Sequence, residues 1–139
     1  MKNVSLLVSA IAVVLINCGN GIQTSSTTPL SLVGLEALMP FGVTGVSPAH
    51  GSTGISISTS ITVYFNRNID TSTINGSTFL VNGATMIGTF SYGSSSVTFT
   101  PAAALVNISV YTVTLTTGVL DMEGVSLGSP FSWNFTTVD

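Results

Sequence analysis

Charge is what this chain has least of. Of its 139 residues, two are Lys or Arg, five are Asp or Glu and one is His, so charged side chains make up 5%, against about 25% in an ordinary globular protein. Without residues 1–17, Lys2 is gone and Arg67 is the one cation left beside Glu36, Asp70, Asp121, Glu123 and Asp139. Phosphate backbones are held by arrays of Lys and Arg, so nucleic acid is excluded as a main partner. Anionic lipid headgroups are not expected as partners, on the same ground. Cysteine is nearly absent too, and Cys18, standing alone, cannot close an internal disulfide. The single histidine, His50, lies in Pro48-Ala49-His50-Gly51 without a second His as co-ligand, so no metal centre is expected and His50 reads as structural or merely exposed. There is no Gly-x-Ser-x-Gly elbow for a nucleophile. Nor is there a Gly-x-Gly-x-x-Gly or phosphate loop. The chain reads as a non-enzyme with no cofactor.

One apolar run stands out, Val4 to Ile16, after Met1, Lys2 and Asn3. A short positive start, an apolar stretch of this length and small residues after it are the parts of a secretory signal. The run is short for a membrane span, which takes about 20 residues. Leu15-Ile16-Asn17-Cys18 resembles a bacterial lipobox, in which the cysteine is acylated and becomes the new N-terminus. Asn17 departs from the usual Gly, Ala or Ser before that cysteine. Residues 1–17 are therefore expected to be a lipoprotein signal peptide forming a signal helix. Cys18 is the expected lipidation site, and the membrane is a partner through its acyl chains. The alternatives are an ordinary signal cut elsewhere or an uncleaved anchor. Gly19, where retention in the inner membrane uses Asp, favours the outer membrane or cell surface.

What the chain does have is serine and threonine, twenty of each. They supply a polar surface without charge, and they favour extended and turn conformations over helix interiors. Residues 18–40 read as a flexible tether containing a short apolar segment. Gly19 to Pro29 is small and polar. Leu32, Leu35 and Met39 have helical spacing, although Gly34 weakens a helix and a strand is the other option. Leu30 to Met39 docks either on the domain or on a partner.

From Phe41 onward the period is two. Ile55, Ile57, Ile61, Val63 and Phe65 alternate with Ser56, Ser58, Ser60, Thr62 and Tyr64, with an interruption expected near Ser58-Thr59. Val97 and Phe99, then Tyr111, Val113 and Leu115, then Phe131, Trp133 and Phe135 alternate with Ser, Thr and Asn in the same way. Such alternation marks strands buried on one face. Phe79 to Val81 and Met86 to Tyr92 complete the set, and Asn82-Gly83 between them signals a tight hairpin. Asp70 to Ile74 looks like a capped single helical turn. Trp133, flanked on its face by Phe131 and Phe135, is expected in the core. The fold class is all-β, an antiparallel β-sandwich of about seven strands in residues 41–139.

These residues also carry a likeness. Pro48 and Gly51 before a Val/Ile-rich strand, Val63-Tyr64-Phe65 with Asp70-Thr71-Ser72-Thr73-Ile74, and Phe99-Thr100-Pro101 through Leu105 to Tyr111, Val113 and Leu115 follow one another in a familiar order. So do Asp121, Gly124 and Leu127 in a turn, and Phe135 with Thr137 at the close. From Val43 to Thr137 the chain resembles the bacterial Ig-like domain of the S-layer-protein (SbsA) type. The departures are Val125, where the family usually has Asn, and Asn66-Arg67-Asn68, where it commonly has an acid. The resemblance implies an Ig-like sandwich and no particular function. Leu105 and Tyr111 then fit a tyrosine corner, with the phenol bonding back to the preceding connection.

Asp121 and Glu123 are the one pair of close carboxylates, and they lie in a turn. Together with Asp70 they are candidates for turn capping or for weak calcium binding through oxygen ligands. General acid–base work is the remaining and least supported option. Asn75-Gly-Ser, Asn107-Ile-Ser and Asn134-Phe-Thr match the glycosylation sequon, as expected by chance in so Ser/Thr-rich a chain.

Three functions follow as expectations. The first is a lipid-anchored module of a bacterial cell envelope with a structural, spacer or adhesive role, whose partners include other envelope or host surface proteins or glycans. The second is a self-assembling surface subunit, because edge strands here lack charged protection. The third is a carbohydrate-binding accessory domain using exposed aromatics such as Tyr64 and Phe41.

Overall fold

The computed structural model describes residues 39–138. The signal segment, Cys18, nearly all of the expected tether, Glu36 and Asp139 lie outside the described residues. Eight strands are present among those described: β1 (Val43–Ser47), β2 (Ser52–Ile55), β3 (Ile61–Phe65), β4 (Phe79–Val81), β5 (Gly88–Tyr92), β6 (Ser96–Pro101), β7 (Val110–Leu115) and β8 (Phe131–Thr137). They form two four-stranded sheets, ordered β1-β3-β6-β5 and β2-β8-β7-β4. All pairings are antiparallel except β2 with β8, which is parallel. The all-β sandwich expected from the alternation is the fold. The strand count is eight against an expected seven or so, because the chain between Val43 and Ile55 contributes two short strands to opposite sheets.

The period-two residues face where parity puts them. Ile61, Val63, Val97, Phe99, Val113, Leu115, Trp133 and Phe135 are all buried between the sheets. Phe79 and Val81 on β4 join them. At about 25 cal/mol per Å² of apolar surface, this layer is the main favourable term, and it holds the sheets together without a disulfide. The alternate positions carry hydroxyl ladders on the outer faces. Thr62 meets Thr98 at 2.9 Å, Ser60 meets Thr100 at 3.1 Å and Thr114 meets Ser132 at 2.7 Å.

Ile55 ends β2 and Ile61 begins β3, so the interruption foreseen near Ser58-Thr59 is real. The hairpin expected at Asn82-Gly83 is a correction. The turn itself forms: both residues have positive φ, 53° and 73°, and Val81 and Ala84 exchange backbone hydrogen bonds of 3.0 and 3.1 Å. The strands on either side do not pair with each other. β4 pairs with β7, and β5 crosses to the other sheet beside β6. Gly88 permits the close approach of β5 to β6, because a Cβ there would strike the Phe99 ring and the Thr100 carbonyl. Met86 and Ile87 precede β5 and belong to the crossover.

Tyr111 is buried, and its hydroxyl accepts a hydrogen bond from the Val106 N–H at 2.8 Å. The phenol thus clamps the connection between β6 and β7, while Leu105 is buried beside it. Tyr111→Phe removes the acceptor and leaves that amide to find another partner. The expected loss is about 1–2 kcal/mol, read from urea unfolding as a lower midpoint at unchanged slope. An unchanged midpoint would show that the clamp contributes nothing.

Candidate functional site

The chemistry-bearing side chains gather at one end of the sandwich. β3 ends at Phe65 and delivers Asn66, Arg67 and Asn68 to that end. β7 ends at Leu115 and leads into the long connection that carries Asp121 and Glu123. The two segments are joined by backbone: Asp70 N–H donates to Leu120 O at 3.0 Å, and Met122 N–H to Asn68 O at 3.0 Å. Thr73 Oγ1 adds an acceptor for the Leu120 N–H at 3.1 Å.

Asp121 is the centre of the cluster, with 2% of its surface exposed. Its Oδ1 accepts from the Glu123 N–H at 2.9 Å and the Val125 N–H at 2.8 Å. Its Oδ2 accepts from the Arg67 guanidinium at 3.0 Å. Gly124, at φ 81°, lets the chain turn tightly enough for both amides to reach one oxygen. Burial acts to raise the Asp121 pKa. The hydrogen bonds from Val125 N–H, from Arg67 and from Glu123 N–H, with the Arg67 charge, outweigh it and hold the carboxyl below the ordinary aspartate value. Glu123 is the outer member, 3.5 Å from Arg67, with its side chain 73% exposed. A pair so open to water contributes little.

Asp70 caps the 3₁₀ turn Thr71–Thr73. Its Oδ1 accepts from the Ser72 N–H at 3.0 Å and the Ser72 hydroxyl at 2.6 Å. Asp70 and Asp121 are therefore each occupied with their own turns. Among the described residues no group of three or more His, Cys, Asp or Glu side chains is placed to hold a metal. A calcium ion at Asp121 would have to displace the guanidinium from Oδ2 and would gain one exposed carboxylate. The partner that sequence reasoning missed is Arg67, 54 positions away from Asp121. Its one signal was its being the only cation of the β region.

His50 lies at the bend between β1 and β2. Its Nδ1 accepts from the Asn134 N–H at 3.3 Å, while the Gly51 N–H donates to Asn134 O at 2.7 Å. Trp133 is buried, and its indole N–H donates to Pro48 O at 3.1 Å. The aromatic row that a glycan platform needs is missing among the described residues. Tyr64 stands on an outer face beside Gly45 and Ser96, Phe41 is buried against Phe65, and Tyr92 lies on an edge strand with its ring against Phe90. The arrangement can hold two loops together and carry a polar surface.

Comparison with known proteins agrees with this geometry. A model of the family described as "Bacterial Ig-like domain" matches residues 39–137. No curated protein matches the chain. Among solved structures it is similar to an L,D-transpeptidase from Mycobacterium smegmatis, with 18% identity, a TM-score of 0.54, and coverage of 72% of this chain and 41% of that one. It is similar to the N-terminal part of the bacterial S-layer protein SbsC, with 24% identity, a TM-score of 0.55, and coverage of 77% and 26%. It is also similar to CopC from Methylosinus trichosporium OB3b, with 13% identity, a TM-score of 0.52, and coverage of 70% and 93%. The chain thus spans less than half the length of the transpeptidase and S-layer chains, and these likenesses speak for the fold. With the family match extending over residues 39–137, the chain belongs to the bacterial Ig-like domain family.

Proposed function

We propose that this protein is a non-enzymatic module of a bacterial cell envelope, held at the outer membrane or cell surface by acyl chains on Cys18, with a structural or spacing role. The observation that carries the reading is the use made of the polar side chains. Asp121, Arg67 and Asp70 are consumed in fixing turns, and the outer faces are Ser/Thr ladders without a reactive group. Membership of a bacterial Ig-like family supports an envelope setting. The lipobox-like Leu15-Ile16-Asn17-Cys18 supports the anchor, and the small polar residues after it are suited to a tether of up to about 3.5 Å per residue.

Metabolic labelling with a palmitate analogue tests the anchor. Wild-type protein is expected to incorporate the label and sediment with membranes. Cys18→Ala is expected to lose the label and appear in the soluble fraction. Unlabelled wild-type protein would overturn the lipid anchor and leave the Ig-like module in place.

A further inference from the structure

A sheet edge is a row of unpaired N–H and C=O groups, and folded proteins blunt it with bulges, charges or cover. Three of the four edge strands among the described residues are blunted. β1 shifts register against β3 between Val43 and Gly45, and β2 shifts against β8 between Ser52 and Ile55. On β4 the Phe79 and Val81 amides donate to Asn75 O at 2.9 Å and Ala84 O at 3.0 Å. β5 is different. It pairs with β6 in unbroken register from Gly88–Pro101 to Tyr92–Val97. Its residues, Gly-Thr-Phe-Ser-Tyr, include no charge and no proline.

Hydrogen-bond parity decides which groups of β5 face outward. Ala102 N–H donates to Ile87 O and Gly93 N–H to Ser96 O, each at 2.9 Å. Odd-numbered residues therefore bond to β6, and the N–H and C=O groups of Gly88, Phe90 and Tyr92 point away from it. Phe90 is partly buried against Phe79 and Phe99. The Tyr92 ring, 45% exposed, stacks on Phe90 at 6.4 Å. Thr89 and Ser91 carry hydroxyls on the outer face, opposite Thr100 and Thr98 of β6.

We infer that β5 pairs with the β5 strand of a second copy of this chain, antiparallel about a two-fold axis at Phe90. The register selects the occupant. Aligning the two strands over their full length sets Phe90 opposite Phe90 and Tyr92 of each copy opposite Gly88 of the other. Every outward residue of β5 then exchanges both its N–H and its C=O with the other strand. Each tyrosine covers a position without a side chain, the arrangement by which an aromatic compensates a strand glycine, and the Phe99 ring forms the floor of that position. Thr89 of each copy meets Ser91 of the other, which carries the hydroxyl row Thr62–Thr98–Ser91 across the axis. An antiparallel neighbour of another sequence gains the same backbone bonds, but it matches Gly88 and Tyr92 only with an aromatic four residues after a glycine. Within this chain Gly88 and Tyr92 are the one such pair, so β5 is its own best complement. The contact is about 17 Å long, short of what an interface of ordinary size needs. The dimer is accordingly weak, with a Kd on the order of 10⁻⁴ M, and it closes at two because pairing consumes the edge. The inference is independent of Cys18.

Sedimentation velocity and cysteine cross-linking of residues 19–139, the chain after Cys18, test it. The wild-type chain is expected to pass from monomer to dimer, and no further, as concentration rises towards about 1 mM. Tyr92→Pro removes an outward N–H and no bond to β6, and it is expected to raise the Kd at least tenfold. Ser91→Lys leaves the backbone intact, puts a charge on the edge and is expected to weaken pairing too. Cross-linking reads the register. Thr89 and Ser91 of opposite copies form a non-hydrogen-bonded pair, with Cα atoms about 4.5 Å apart, within disulfide reach. Like residues across the axis stand about 7–8 Å apart on the diagonal. An equimolar mixture of Thr89→Cys and Ser91→Cys chains, treated with oxidised glutathione, is therefore expected to yield the mixed dimer in large excess over either like pair. A wild-type chain that stays monomeric, species beyond the dimer, both edge variants pairing as well as wild type, or like pairs as abundant as mixed ones would each overturn the inference. A dimer that is lost on shortening the chain to residues 39–139, which hold every strand described, would place the contact in residues 19–38 and overturn it as well.

Discussion

Asp121→Ala is expected to cost the domain about 3–5 kcal/mol, the scale for breaking a buried ion pair by removing one partner. Three donors lose their acceptor at once: the Glu123 and Val125 amides and the Arg67 guanidinium. Among the described residues, Arg67 then has the exposed Glu123 carboxylate as its acidic neighbour. Asp121→Asn retains one acceptor oxygen and is expected to lose less. Urea unfolding of the two variants separates the charge from the cap, and an Asp121→Ala domain within about 1 kcal/mol of wild type would mean that water replaces the carboxylate at little cost. The same residue sets the acid limit. Its folded-state pKa is lowered, so between the two values the unfolded chain binds more protons than the folded one. The stability it contributes is complete above about pH 4 and is lost as pH falls from there through the folded value. Wild-type midpoints are expected to drop below that point more steeply than those of Asp121→Asn. Millimolar calcium is expected to leave the wild-type midpoint where it is, because the ion would have to displace Arg67.

Much of the fold is legible in the residues, for a physical reason. With so few charges, most outward positions of β3, β6, β7 and β8 are Ser, Thr or Asn, so their inward residues stand out by contrast. Local turn chemistry is legible too: Asp70 caps its turn, and Asn82-Gly83 forms the tight reversal its residues demand. What local pattern cannot reveal is which sheet a strand joins. β5 lies beside β6 with Gly88 close against Phe99 and Thr100, partners that no reading of residues 79–92 contains. β1 was illegible for a different reason. Gly45 interrupts its alternation, and the pairing with β3 shifts register between Val43 and Gly45. The Arg67–Asp121 pair joins the ends of two strands that are distant in sequence, so it too is a product of topology.

Trp133→Ala is expected to be the most damaging single change in the core, at about 3–5 kcal/mol. Trp133 sits on β8 between the sheets, 2% exposed, with Val113 opposite it on β7 and Phe131 at 5.8 Å between ring centroids. Removing so large a ring leaves a cavity that strands hydrogen-bonded on both sides cannot collapse to fill. The loss extends beyond packing. The indole N–H holds Pro48 O at 3.1 Å, and the bend at Pro48–Gly51 is where the chain passes from one sheet to the other. The indole therefore secures the crossover as well as the core. Trp133→Phe keeps most of the volume and drops the hydrogen bond. It is expected to cost about 1–2 kcal/mol and to loosen residues 48–51 first, visible as faster amide exchange at Gly51, whose N–H is bonded to Asn134 O. Because Trp133 is the chain's one tryptophan, wild-type unfolding can be followed by its fluorescence, while the variants are followed by far-ultraviolet circular dichroism. Against a typical domain stability of about 5–15 kcal/mol, the alanine variant is expected to unfold at a much lower temperature than wild type and the phenylalanine variant at a slightly lower one. If Trp133→Phe proved as damaging as Trp133→Ala, the bond to Pro48 would outweigh the packing, and the crossover would be the weaker point of the sandwich.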